Sequence, residues 1–289
     1  MALPTFFIIG AAKAGTTSLH HYLSLHPEIQ MSATKEPNFF AGPNNGVPYA
    51  PGTIVRLDEY ESLFDPAYAV RGEASTDYST HPRRQGAPAR IKAAVPAAKF
   101  VYLVRDPIDR TISHHQMRTA LLGERRSLAE ALSDLRDPRS PYVWPSLYAS
   151  QLERYLEHFA QERILVVDQA RLRSERRDTL REIFAFLEVD PAVRSDDFER
   201  ELLGSRASEW RVYSPGYVKF VSRVTSSPVR RIPKPLRRGV RRLLERVLWR
   251  PLPPAALDED LRARLRQLYA PEAQRLRALT GQQFATWSV

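Results

Sequence analysis

Apolar residues in this chain gather into short unbroken runs that alternate with longer segments of helical spacing. Leu3-Pro-Thr-Phe-Phe-Ile-Ile9 is one such run and stops at Gly10, as a strand buried in a parallel sheet would. Lys99-Phe-Val-Tyr-Leu-Val104 is the clearest central strand, and Ile164-Leu-Val-Val167 is a third. A helix pattern runs from about Thr16 to Leu25 and is halted by His26-Pro27. Asp106-Pro107 opens another in the favoured cap and first-turn order. Helical spacing also covers about Ser146 to Phe159, Thr179 to Leu187 and Leu261 to Leu279, and Asp168 stands where it could cap the element after the third strand. Strands alternating with helices predict an α/β domain around a parallel sheet.

Two stretches break this rhythm. From Pro37 to Gly52, prolines, glycines and asparagines punctuate a loop. Between Val212 and Pro254 the texture turns to proline, serine and arginine, with Leu236, Val240, Leu243, Leu244, Val247 and Leu248 at helical spacing. Residues 230–250 carry nine lysines and arginines against Glu245 alone. They read as a basic amphipathic helix within one domain spanning 1–289. That helix either lies on an anionic membrane surface or presents a solvated arginine face.

Composition narrows the function classes. At 289 residues the chain exceeds the usual span of roughly 100–200 residues per domain, which α/β domains often do. With no cysteine, a disulfide framework, a thiolate metal site and a cysteine nucleophile are all excluded. The formal charge of +10 points to anionic partners. Phe6 to Ile9 is too short for the apolar core of a signal peptide, and no run approaches the ~20 apolar residues of a spanning helix. A cytoplasmic protein is expected, peripheral to a membrane if 230–250 binds one. No basic platform interleaved with aromatics is visible, so nucleic acid is not an expected partner.

The strongest chemical signal is Gly10-Ala-Ala-Lys13-Ala14-Gly15-Thr16-Thr17-Ser18, placed between a strand and a helix. Small residues there let the backbone approach an anion, and the free N–H groups of the helix start point at it. Lys13 adds a point charge. The sequence is not a Walker A loop, because no lysine precedes the hydroxyl residue that would hold magnesium. A phosphate-bearing donor handled without a metal is therefore expected. A second anion site comes after the central strand, where the fork of Arg105 can grip a phosphate and Ser113 lies about two helical turns on. Arg105 could instead pair with Asp109 as a structural ion pair. Two anion sites flanking one crevice suit a nucleotide phosphorylated at both ends.

Lys13-Ala-Gly-Thr-Thr-Ser-Leu19 with Leu25-His-Pro27 resembles the 5′-phosphosulfate loop of the sulfotransferase superfamily, and Phe100-Val-Tyr-Leu-Val-Arg-Asp-Pro107 through Arg110 and Ser113 resembles its 3′-phosphate motif. In texture the chain is most similar to the heparan sulfate branch and its bacterial relatives. Lys35-Glu-Pro-Asn-Phe-Phe40, Ser146-Leu-Tyr148 leading to Gln151, and the end at Phe284 and Trp287 match as well. The resemblance implies a P-loop NTPase-like fold, 3′-phosphoadenosine 5′-phosphosulfate as co-substrate, in-line transfer and no metal. It implies that Lys13 steadies the leaving oxygen and that Ala14, Gly15, Thr16, Thr17 and Ser18 hold the 5′-phosphate. Arg105 and Ser113 would hold the 3′-phosphate, with Tyr148 and Arg206 as further nucleotide contacts.

An acceptor hydroxyl must lose a proton as the sulfuryl group arrives, so a base is needed. The resemblance assigns it to Glu36, which the neighbouring apolar residues could desolvate and Lys35 would hold charged. His81, His114 and His115 are the other candidates. One departure stands out: the relatives carry Glu-Lys where this chain has Glu73-Ala74, so the lysine near their reaction centre is missing. Glu73 is then either a second carboxylate of the site or a partner of Lys13. The acceptor is a carbohydrate, a lipid or a small natural product. Two other readings fit parts of the sequence: a P-loop nucleotide or small-molecule kinase, with Asp168 as its magnesium carboxylate, and a non-catalytic protein that binds a membrane surface.

Overall fold

The computed structural model describes residues 2–42, 49–50, 52–199 and 257–289, together with the backbone of 211–213 and 249–251. Arg206 and nearly all of 230–250 lie outside the described residues. The chain falls into two compact units. The first comprises Met1–Thr111, Leu132–Leu203 and Asp258–Val289; the second comprises Ile112–Ala131 and Gly204–Leu257.

The first unit is built on five parallel strands: β1 (Phe6–Gly10), β2 (Ile29–Met31), β3 (Val70–Ala74), β4 (Lys99–Val104) and β5 (Ile164–Asp168). Their order is β2-β3-β1-β4-β5, the P-loop NTPase-like arrangement. β1 lies in the middle and its five residues are all buried, which is why its sequence is uniformly apolar. It pairs Ile8 with Ala74 on one side and Val101 on the other. From β1 the chain crosses to the edge strand β2, returns to β3 beside β1, and then builds outward on the other side through β4 and β5. The crevice at the carboxyl ends of β1 and β4 is thus the topological switch point, where open α/β sheets bind ligands.

The helices are α1 (Thr16–Ser24), α2 (Leu57–Glu61), α3 (Ala87–Ala94), α4 (Pro107–Leu121), α5 (Leu128–Ala131), α6 (Tyr148–Leu156), α7 (Gln169–Ser174), α8 (Arg176–Leu187) and α9 (Glu259–Thr280). Several starts carry a side-chain cap. Asp106 accepts from the Asp109 amide at 2.9 Å to open α4, and Asp258 accepts from the Leu261 amide at 2.8 Å to open α9. Asp168 caps α7 through the Ala170 amide at 3.1 Å. Its side chain is therefore occupied as a structural cap and also meets the Trp287 indole N–H at 3.4 Å.

α1 ends where its sequence stops being helical, and His26 fixes the exit. The ring is buried; one nitrogen accepts from the Glu28 amide at 3.2 Å, while Nε2 donates to the Asp190 carbonyl at 3.0 Å. Both ring nitrogens are thus used by backbone groups. α6 and α9 are joined by Glu272, which accepts from the Ser150 amide and hydroxyl at 3.0 and 2.8 Å. In the second unit, β6 (Arg211–Tyr213) and β7 (Trp249–Pro251) form an antiparallel pair.

Candidate active site

The loop between β1 and α1 is bent by residues that sequence alone flags only in part. Gly10 has φ 149°, and a Cβ there would sit 2.1 Å from Ser79 Oγ. Gly15 takes the left-handed φ of 98° at the N-cap of α1, with no side chain capping the helix. Lys13 also has a positive φ, 74°, which costs a non-glycine residue roughly 1 kcal/mol. The Ala14 amide closes back on the Ala11 carbonyl at 3.0 Å, and the first intrahelical bond runs from the Leu19 amide to the Gly15 carbonyl. The amides of Thr16, Thr17 and Ser18 precede that bond, and as first-turn donors they have no helical acceptor. An oxyanion at this end of β1 would satisfy them.

Cations surround the loop. Arg105, just past β4, directs Nη1 at the Lys13 carbonyl at 3.4 Å and Nη2 at Asp109 at 3.3 Å. The ion pair expected from sequence is therefore present, but it leaves Arg105 beside the loop. Asp109 is largely exposed, so the pair contributes little stability. Arg110 is fully buried. It donates to the Ala12 carbonyl at 3.4 Å, to Ser146 Oγ at 2.5 Å and to the Tyr142 carbonyl, tying the loop to α4 and to the segment before α6. Its structural role was not legible from sequence, where an arginine on a helix reads as solvated.

The Lys13 ammonium is pulled down to about 8, first by burial and then by Arg105, Lys35 and Arg110, while Glu36 acts in the opposite direction. The phosphate loop, the arginine site and the Lys35-Glu36 strap thus share one electrostatic neighbourhood. Glu36 accepts from Lys35 Nζ at 2.8 Å and from Thr76 Oγ1 at 3.3 Å. Its side chain keeps 42% of its exposure, so the apolar neighbours enclose it less than its sequence suggests. The residue has φ 59° and Asn38 has φ 54°, two more strained positions at the same site. Lys35 brings a cation into the region where Ala74, fully buried, carries none.

Glu73 is neither paired with Lys13 by any hydrogen bond described nor open to the crevice. It is fully buried and accepts from Tyr60, Tyr78 and Ser75. Tyr148 is buried at the start of α6, with its ring 6.0 Å from Tyr102 and 5.6 Å from Trp287. Ser113 belongs to the second unit, where its buried Oγ has no hydrogen-bond partner. His114 and His115 are buried there too, and His115 Nε2 donates to the Arg126 carbonyl at 2.9 Å. His81 is held by its backbone, which exchanges hydrogen bonds with the Gln151 side chain at 2.9 and 2.7 Å.

Beyond Arg105, a cleft of about 540 Å³ opens at the carboxyl ends of β4 and β5, lined by Gln169, Arg173, Arg176 and Trp287 among others. Sequence reasoning did not single out Arg173 and Arg176; their spacing looks like any exposed helix face. Among the described residues, no cluster of side chains has the make-up of a metal site, and no helix is long and apolar enough to cross a membrane.

Residues 3–203 match the sulfotransferase domain family. A bifunctional heparan sulfate N-deacetylase/N-sulfotransferase 2 from Bos taurus is 31% identical over 65% of this chain, which spans 22% of that enzyme's length. A heparan sulfate glucosamine 3-O-sulfotransferase 3A1 from Mus musculus is 30% identical over 68% of this chain, with 48% of its own length covered. The crystal structure of a sulfotransferase from Alicyclobacillus acidocaldarius superposes with a TM-score of 0.72 and 27% identity, covering all of both chains. The family match spans the residues that build the phosphate loop, the Glu36 strap and the Arg105 site, and the chain belongs to the sulfotransferase domain family.

Proposed function

We propose that this sulfotransferase takes its sulfuryl group from 3′-phosphoadenosine 5′-phosphosulfate and delivers it in line to an acceptor hydroxyl or amine, with Glu36 as general base. The observation that carries the reading is the charge pattern around Lys13. Three further cations and one carboxylate act on a half-buried ammonium beside a loop of free amides. Such a cluster suits a polyanionic donor and a developing negative charge on its leaving oxygen.

In this reading the Thr16, Thr17 and Ser18 amides hold the 5′-phosphate and Ala14 and Gly15 let it approach. Lys13 stabilises the bridging oxygen as the S–O bond breaks. Arg105 grips the 3′-phosphate, and the cleft toward Trp287 has room for the nucleoside. Ser113, Tyr148 and Arg206 remain candidate contacts on the strength of the motif. Glu36 takes the acceptor proton as the new S–O or S–N bond forms, so charge is conserved without a metal. Lys35 supplies, from the strap, the positive charge that Ala74 does not. Asp168, held as a helix cap, is unsuited to the magnesium role a kinase would give it.

The names of the matched relatives favour a carbohydrate acceptor. The nine basic residues of 230–250 are the candidate surface for an anionic acceptor chain or an anionic membrane. We take the whole of 1–289 as one catalytic domain. Transfer of labelled sulfuryl from the donor to polysaccharide, phenol, lipid and amine acceptors, in the presence of a chelator, tests the reading. Glu36→Gln is expected to lower turnover by about 10²- to 10⁴-fold with donor affinity unchanged. Full turnover in that variant would refute the base assignment.

A further inference from the structure

Behind the Glu36 strap lies a buried carboxylate that touches neither phosphate loop amides nor solvent. Glu73, on β3, is fully buried. Tyr60 and Tyr78 donate to its Oε1 at 2.6 and 2.7 Å, and Ser75 donates to its Oε2 at 2.6 Å. Burial holds its pKa above the ordinary carboxylate value, even though the three hydroxyl donors act to lower it.

Two of these hydroxyls carry a second bond. Ser75 Oγ accepts from the Asn38 amide at 3.1 Å, and the Tyr78 hydroxyl accepts from the Phe40 amide at 3.1 Å. A hydroxyl has one proton, and here it goes to the carboxylate, so the lone pairs face the amides. The third hydroxyl belongs to Tyr60, whose ring stacks on Phe39 at 4.4 Å and 10°. Residues 38, 39 and 40 are thus each held by one of the three side chains that converge on Glu73. Just upstream, the Glu36 amide donates to the Ala74 carbonyl at 2.9 Å, and Asn38 Nδ2 donates back to the Glu36 carbonyl at 2.9 Å. The strained φ values of Glu36 and Asn38 persist because this frame over-determines them.

We propose that Glu73 is a positioning residue: through Ser75, Tyr78 and Tyr60 it fixes the strap and so aims the Glu36 carboxylate at the reacting acceptor. The inference rests on Glu36 being the base. All three hydroxyls donate to Glu73, so the carboxyl serves here as the common acceptor of the frame. A shift of about 1 Å in a reacting group costs roughly 10²-fold in rate, which sets the expected size of the effect.

The test is a double-mutant cycle between Ser75→Ala and Glu36→Gln, with Tyr78→Phe in place of Ser75→Ala as a second route into the frame should the first variant fail to fold. Single-turnover loss of labelled sulfuryl from the enzyme-bound donor is monitored with 4-nitrophenol and with water as acceptors. Amide exchange at Asn38 and Phe40 is read by NMR, and adenosine 3′,5′-bisphosphate affinity by calorimetry. Ser75→Ala is expected to slow transfer about 10- to 100-fold in the native background and not at all on top of Glu36→Gln. The Asn38 amide should exchange faster in the same variant, with nucleotide affinity held within about twofold. An equal loss in both backgrounds, no loss in either, or unchanged Asn38 exchange overturns the inference while leaving Glu36 as the base. A Glu36→Gln enzyme with native turnover overturns both.

Discussion

Arg105 donates to the main-chain carbonyl of Lys13 at 3.4 Å, so the arginine just past β4 braces the loop just past β1. The two proposed anion sites are thereby joined across the switch point of the sheet. Removing Arg105 should therefore weaken 3′-phosphate binding and also loosen the loop. For Arg105→Ala, loss of charge-assisted bonds of about 2–3 kcal/mol predicts roughly 30- to 150-fold weaker binding of adenosine 3′,5′-bisphosphate. The preference for that ligand over adenosine 5′-phosphate should collapse in the same titrations.

If Lys13 contacts the donor as proposed, binding should be pH-dependent. In the free protein its pKa is lowered to about 8, chiefly by burial. A bound phosphate places negative charge beside the ammonium and raises that value in the complex. Above pH 8 the complex then holds more protons than the free protein. Affinity is full below about pH 8 and falls as pH rises, by up to about tenfold per unit, until the pKa of the complex is passed. Calorimetry in buffers of different ionisation enthalpy should show proton uptake near pH 8, and Lys13→Met should abolish it.

Asp168 separates the transferase from a magnesium-dependent kinase. Asp168→Asn keeps an oxygen for the Ala170 amide and removes only the charge, so the cap survives. Nucleotide affinity and transfer rate should stay within about twofold of native, whereas a carboxylate holding a metal would cost tenfold or more on removal.

Gly10 is a steric requirement of the loop. Its positive φ and the 2.1 Å approach of a Cβ to Ser79 Oγ leave no room for alanine. Ser79 cannot simply turn away, since its hydroxyl donates to the Ile9 carbonyl at 2.7 Å. Gly10→Ala should cost about 2–4 kcal/mol, a fall in Tm of roughly 5–10 °C, and Gly10→Ala/Ser79→Ala should recover part of it.

Much of the sheet was readable in the sequence because β1, β4 and β5 are unbroken apolar runs. β2 has only three residues, and β3 reads Val-Arg-Gly-Glu-Ala, with no pattern to mark it. Its strand character comes from tertiary pairing with β1, where Gly72 lies opposite Phe6 and Ala74 opposite Ile8. Glu73 is a core residue only because hydroxyls from residues 60, 75 and 78 meet it, and no local rule reports such a meeting. β1 also begins at Phe6 rather than Leu3, and the helix expected from Ser146 begins at Tyr148 after a tight turn at Trp144–Ser146. In the site, Lys13 and Arg105 stood out through their motifs. Arg110 falls within the same motif, but its full burial was not legible, and the cleft arginines Arg173 and Arg176 did not stand out, since burial and convergence of side chains from separate helices leave no periodic trace.

Metal-free sulfuryl transfer from a doubly phosphorylated adenosine donor underlies each of these expectations. It is tested most directly by incubating the protein with sulfur-labelled 3′-phosphoadenosine 5′-phosphosulfate and an acceptor panel in excess chelator, beside Lys13→Ala. Labelled product is expected with the native protein, with a loss of about 10²-fold or more in the variant. No donor binding, together with tight magnesium-dependent binding of ATP, would contradict it.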